Sequence, residues 1–136
     1  MALLVGALAS CQQSPPEQRL REAVGELQLA VEGRDAGAIE DRLASDFIGP
    51  GALDRAGARR IAQAMFLRHR DVGVVLGPLE VQIQQEHATV EFTAALTGGR
   101  GGLLPESGRI YDVRTGWRLR DNEWQLTSAE WSSSGE

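Results

Sequence analysis

The 136-residue chain contains no lysine; all 14 of its basic side chains are arginines. It has a single cysteine, a single tyrosine and few aromatic residues of any kind. One cysteine excludes an internal disulfide. The two histidines, His69 and His87, are far apart in sequence and stand near no cysteine cluster, so the spacing of a zinc site is absent. No apolar run approaches the ~20 residues that a membrane-spanning helix needs. No run of five like charges occurs, which excludes a charged interaction tail. The net charge of −5 removes the electrostatic footprint of a nucleic-acid binder. There is no GxSxG elbow for nucleophilic catalysis. Gly98, Gly99, Gly101 and Gly102 match neither GxGxxG nor a phosphate loop, and read as a hairpin tip. No metal and no cofactor is expected. The arginine-only basic set reads as GC-rich coding rather than as function.

The N-terminal residues Met1 to Ala9 are largely apolar and lead into small residues and Cys11. A secretory signal also needs a basic start, and here the first arginine is Arg19. A start assigned too far downstream accounts for that. Leu8-Ala9-Ser10-Cys11 resembles the lipobox of bacterial lipoproteins. The resemblance implies that Cys11 is diacylated with palmitate-like chains, becomes the mature N-terminus and anchors the protein to a membrane. Gln12 and Gln13, where an aspartate would retain a lipoprotein in the inner membrane, imply the outer membrane facing the periplasm. The alternative is a soluble protein with a frayed apolar end and an incidental cysteine. The expected organisation is a signal segment over residues 1–11, a tether over 12–16, one domain over 17–131 and a polar tail over 132–136. The domain has about 120 residues, enough for a real core.

Within the domain the hydrophobic period is first helical. Pro15 and Pro16 suit a helix start. Leu20, Val24, Leu27 and Val31 then make an amphipathic stripe that Gly33 ends. Asp35 suits the N-cap of a second helix carrying Ile39, Leu43 and Phe47 on one face, broken by Gly49-Pro50-Gly51. Asp54 suits the cap of a third, with Ala58, Ile61, Met65 and Phe66 turned inward. After Asp71 the period becomes two. Leu79, Val81 and Ile83 alternate with polar residues, and so do Ala88, Val90, Phe92, Ala94 and Leu96 after a turn near Glu86-His87. A long strand presents Tyr111, Val113, Thr115, Trp117 and Leu119 on one face and Asp112, Arg114, Arg118 and Arg120 on the other. Asp121-Asn122 is turn chemistry, and a last strand holds Trp124, Leu126, Ala129 and Trp131. The expected class is α+β, with N-terminal helices packed on an antiparallel sheet that is wet on its other face.

Gly33-Arg34-Asp35 followed by Ile39, Leu43, Ala44, Asp46 and Phe47, together with the terminal hairpin Gly116 to Leu126, resembles the nuclear-transport-factor-two-like superfamily. That superfamily includes ketosteroid isomerase and polyketide cyclase and dehydratase relatives. The resemblance implies a curved sheet around a long helix, forming a cone with an internal pocket. It also implies where an isomerase would keep its machinery. The oxyanion-donating tyrosine position is Leu27, and the region of the aspartate base is Gly49-Pro50-Gly51. Neither supplies a donor or a base, and enolisation requires both.

The pocket candidates are Tyr111, Thr115, Trp117, Trp131, Met65 and His69. Tyr111, Thr115 and Trp117 share the inward face of one strand and read either as a pocket lining with polar tips or as core residues that find their own polar partners. His69, with Asp71 nearby, reads either as a general base at the pocket mouth or as a histidine favoured by a helix C-terminus. Arg114, Arg118 and Arg120 with Asp112 form a solvated strand face or a docking surface, including one for a second copy. The expected function is a non-catalytic, membrane-tethered lipoprotein that binds a small apolar molecule or an envelope protein. The alternative is a cyclase, dehydratase or hydrolase with a rearranged site. A third is a purely structural dimer.

Overall fold

A computed structural model describes residues 15–97 and 110–133. Cys11, the tether through Ser14 and the glycine-rich loop at Gly98–Gly102 lie outside the described residues. Helix α1 (Pro16–Glu32) starts with proline in its first turn and stops at Gly33. It buries Leu20, Ala23 and Val24. Helix α2 (Ala36–Arg42) is capped by Asp35, whose carboxylate accepts from the Ala38 amide at 3.0 Å. Helix α3 (Arg55–Arg68) is capped in the same way, by Asp54 accepting from the Gly57 amide at 2.7 Å.

Six strands form one sheet: β1 (Leu43–Ile48), β2 (Gly73–Leu76), β3 (Glu80–Gln84), β4 (His87–Thr97), β5 (Tyr111–Arg120) and β6 (Glu123–Ser133). Their order is β1-β6-β5-β4-β2, with β3 pairing β4 further along the same edge as β2. All pairs are antiparallel except β1 with β6. Three helices on a mixed sheet make the α+β class expected from the periodicity.

The sequence reading needs four corrections. The second helix ends at Arg42, and Leu43 to Ile48, Phe47 included, is a strand running parallel to β6. Leu43 and Phe47 are four apart, a spacing that places both on one side of a helix or of a strand. The free edge of β6 decides between them. The sheet is therefore mixed, not purely antiparallel. Ile61 faces solvent, 58% exposed, while Gly57 and Phe66 take the buried side of α3. Finally, Ser132 and Ser133 continue β6 rather than opening a tail, and Pro16 is already helix.

The core lies between α1 and the inner face of the sheet. Trp117, Trp124, Leu20 and Val90 are its largest fully buried side chains. Phe92 and Leu27 pack against it. The spacing of Leu126 and Ala129, three instead of two, marks a bulge. Gly116 pairs with Ser128 and Trp117 with Leu126, leaving Thr127 unopposed.

Candidate functional site

The inner face of β5 carries the predicted pocket residues in their predicted alternation. Val90 and Thr115 are register partners on β4 and β5. Thr115 is buried, and its hydroxyl donates to the Val90 carbonyl at 2.8 Å. The same oxygen accepts from the Trp117 indole nitrogen at 2.8 Å. The Trp124 indole donates to the Pro16 carbonyl at 3.0 Å. Among the described residues no buried side-chain polar atom lacks a partner. The polar tips at the centre of the inner face are thus occupied by one another. Thr115 and Trp117 are core residues, and neither lines any of the surface concavities described below.

The other candidates sit away from that centre. Tyr111 is half-buried at the start of β5, opposite Ala94 and Ser133. Trp131 lies near the end of β6, paired with Val113 and 49% exposed. Met65 is half-buried on α3. His69 forms the C-cap of α3, its amide donating to the Met65 carbonyl at 3.0 Å. Leu27 packs against the core. Gly49-Pro50-Gly51 is a tight turn after β1, closed by the Gly49 amide donating to the Leu53 carbonyl at 2.7 Å. Gly51 adopts a φ of 68° there, a conformation that suits glycine. The two places to which the resemblance assigns an isomerase's donor and base are thus an apolar side chain and a backbone turn.

The outward face of the sheet is built differently. Strand register places Glu80, Glu91, Arg114 and Glu130 in one row across β3, β4, β5 and β6. Arg114 approaches Glu91 at 3.6 Å. The next row holds Thr93, Asp112 and Ser132. An open concavity of about 640 Å³ lies over these two rows, with Pro78 and Trp131 at its margin. Towards the opposite end of β5, Arg118 makes two hydrogen bonds to Asp46 of β1, at 2.8 and 3.1 Å. That guanidinium holds the Asp46 carboxyl below its ordinary value, and Asp46 in turn raises Arg118. Alternation along β5 showed that these arginines face outward. The glutamate partners were not visible, because pairing them requires the hairpin register and the bulge at Thr127.

Among the described residues no three His, Cys, Asp or Glu side chains group to hold a metal ion. No described helix is long and apolar enough to cross a membrane.

No protein-family model matches this sequence, and no curated protein does. Solved structures do match. Bd1075 from Bdellovibrio bacteriovorus superposes with a TM-score of 0.76 at 12% identity, over 88% of this chain and 41% of that one. Aln2 from a Streptomyces species gives 0.75 at 13% identity, over 90% and 94% of the two chains. An NTF2-like protein with a cystatin-like fold from Novosphingobium aromaticivorans gives 0.71 at 16% identity, over 89% and 84%. The chain has the NTF2-like fold. It spans less than half of Bd1075 and nearly all of Aln2, so the fold stands here as one domain. A proposed dehydratase of the NTF2-like family from Streptomyces avermitilis shares it, with a TM-score of 0.74 at 15% identity over 89% of this chain and 97% of that one. At such identities the likeness concerns the backbone and carries no side-chain chemistry across.

Proposed function

We propose that this protein is a non-catalytic, lipid-anchored envelope protein whose NTF2-like domain binds a protein partner through the outward face of its sheet. One observation carries the reading. The inner face closes on itself through Thr115, Trp117 and Trp124, whereas the outward face presents an open, charge-bearing concavity at Glu91, Asp112, Arg114 and Glu130. Enzymes of this shape need a base and an oxyanion donor aimed at one cavity. The resemblance assigns those places to Leu27, which packs on the core, and to the Gly49–Gly51 turn, and neither carries such a group. The lipid anchor is Cys11, and the resemblance of Leu8 to Cys11 to a lipobox supports it. With Gln12 and Gln13 following, the anchor belongs to the outer membrane, facing the periplasm. Two acyl chains on one cysteine supply the two signals that stable anchoring takes.

Native mass spectrometry of the protein purified from its own envelope tests the binding reading. The expected result is a protein complex, with a partner or with a second copy, and no small adduct. A small molecule released on denaturation would overturn it in favour of an occupied interior. The anchor is tested separately. Cys11→Ser is expected to leave the membrane fraction, and intact-mass analysis of the native chain is expected to show acylation at Cys11.

A further inference from the structure

Helix α3 concentrates positive charge in an otherwise acidic chain. Between Arg55 and Arg70 there are five arginines and no aspartate or glutamate. Arg55 donates to the Glu40 carbonyl at 3.0 Å, Arg59 pairs with the Glu40 carboxylate at 2.9 Å, and Arg68 is also engaged. Arg60 points to solvent and has no ion pair among the described residues. Around it the exposed arc of α3 holds Ile61, Ala64, Leu67 and Arg68 at helical spacing. Leu67 is 88% exposed. Beside it an open groove of about 660 Å³ runs between α3 and the turn after α1, lined by Arg34, Arg59 and one carboxylate, Asp35, which caps α2. Large apolar side chains and arginines interleaved on one exposed helix face are the pattern of a helix that lies in a membrane interface.

We infer that the exposed face of α3 docks on an anionic lipid surface, with Leu67 and Ile61 entering the headgroup region and Arg60 meeting phosphate. Charge complementarity selects that occupant. The arc around Arg60, on a helix without an acidic side chain, would be attracted to anionic lipid even though the whole chain, at −5, would be repelled. The inference does not depend on acylation of Cys11.

Vesicle sedimentation of the full chain carrying Cys11→Ser tests it. The vesicles are phosphatidylglycerol mixed with phosphatidylcholine, or phosphatidylcholine alone. The protein is expected to sediment with the anionic vesicles only. Arg60→Gln is expected to weaken binding about five-fold, the contribution of one arginine near such a surface. Leu67→Ser is expected to weaken it further, while Arg21→Gln on the exposed side of α1 leaves it unchanged. Leu67 is so exposed that its replacement cannot unfold the domain, and far-UV circular dichroism verifies this. No sedimentation with anionic vesicles, equal sedimentation with both, or full binding by the Arg60 and Leu67 variants would overturn the inference. Equal affinity for soluble polyphosphate would do so too, by reducing the effect to charge alone. The Cys11→Ser background keeps this outcome separate from that of the lipid anchor.

Discussion

Trp117 donates its indole hydrogen to the hydroxyl oxygen of Thr115, two residues earlier on the same strand, at 2.8 Å. The Thr115 hydroxyl passes its own hydrogen to Val90 on the neighbouring strand. One small side chain therefore satisfies the largest buried side chain and stitches β5 to β4. Thr115→Val keeps the shape and removes the acceptor. It is expected to cost about 1–3 kcal/mol, because the indole N–H stays buried without a partner. Thr115→Ser is expected to cost less. Urea unfolding followed by tryptophan fluorescence checks both.

The Asp46–Arg118 pair has a pH signature. The guanidinium lowers the Asp46 carboxyl below its ordinary value of 3.8. Stability from the pair is complete above that value and is lost as pH falls through the lower, folded-state one. A carboxyl-carbon NMR titration is expected to place Asp46 below 3.8 in the native protein and to return it towards 3.8 in Arg118→Gln. A native midpoint at or above 3.8 would refute the pairing. Asp46 is largely exposed and Arg118 partly so, and the change in stability is expected to be small and to fade at high salt.

Strand β2 is short and lies at the sheet edge, where free backbone groups invite pairing with other chains. Two side chains of α1 cover them. Gln28 donates to the Val74 carbonyl at 2.8 Å, and the Val74 amide donates to the Glu32 carboxylate at 3.2 Å. Replacing both by alanine is expected to accelerate hydrogen exchange at Val74 while leaving the β5–β6 amides protected. Unchanged exchange at Val74 would show that the two side chains do not guard this edge.

The β5–β6 turn places Asp121 and Asn122 at φ of 51° and 62°. Both are left-handed, as a two-residue hairpin turn requires. Asn122→Gly is expected to be neutral or slightly stabilising. Asn122→Val is expected to cost about 1–2 kcal/mol, from the clash of a branched side chain in that conformation. Thermal unfolding of the two variants decides this.

Long-period features were legible in the sequence and short ones were not. The stripe on α1, both aspartate caps and the hairpin turn at Asp121-Asn122 were readable from residue type and position, whereas the bulge at Thr127 emerged only from strand register. Strand β1 was not, because Leu43 and Phe47 satisfy two periods at once and only the edge of β6 selects one. Strand β2 is four residues long and too brief to show alternation. At the site, alternation told which side of β5 each residue faces. It could not show that Thr115 and Trp117 would consume each other's polar atoms, nor that Glu91 and Glu130 would flank Arg114. The first depends on how two side chains orient along β5, and the second on register between strands.

The position of β6 bears on when the protein can fold. This last strand lies between β5 and β1, and among the described residues β1 runs parallel to it without any other sheet neighbour. Leu43 therefore waits for Leu126 before its strand has a partner, and Trp124 reaches Pro16 only when the C-terminal hairpin exists. Pairings so distant in sequence form late and slowly. A chain emerging vectorially from a ribosome or a translocon holds its N-terminal helices without a sheet to cover them until nearly all of it has been delivered.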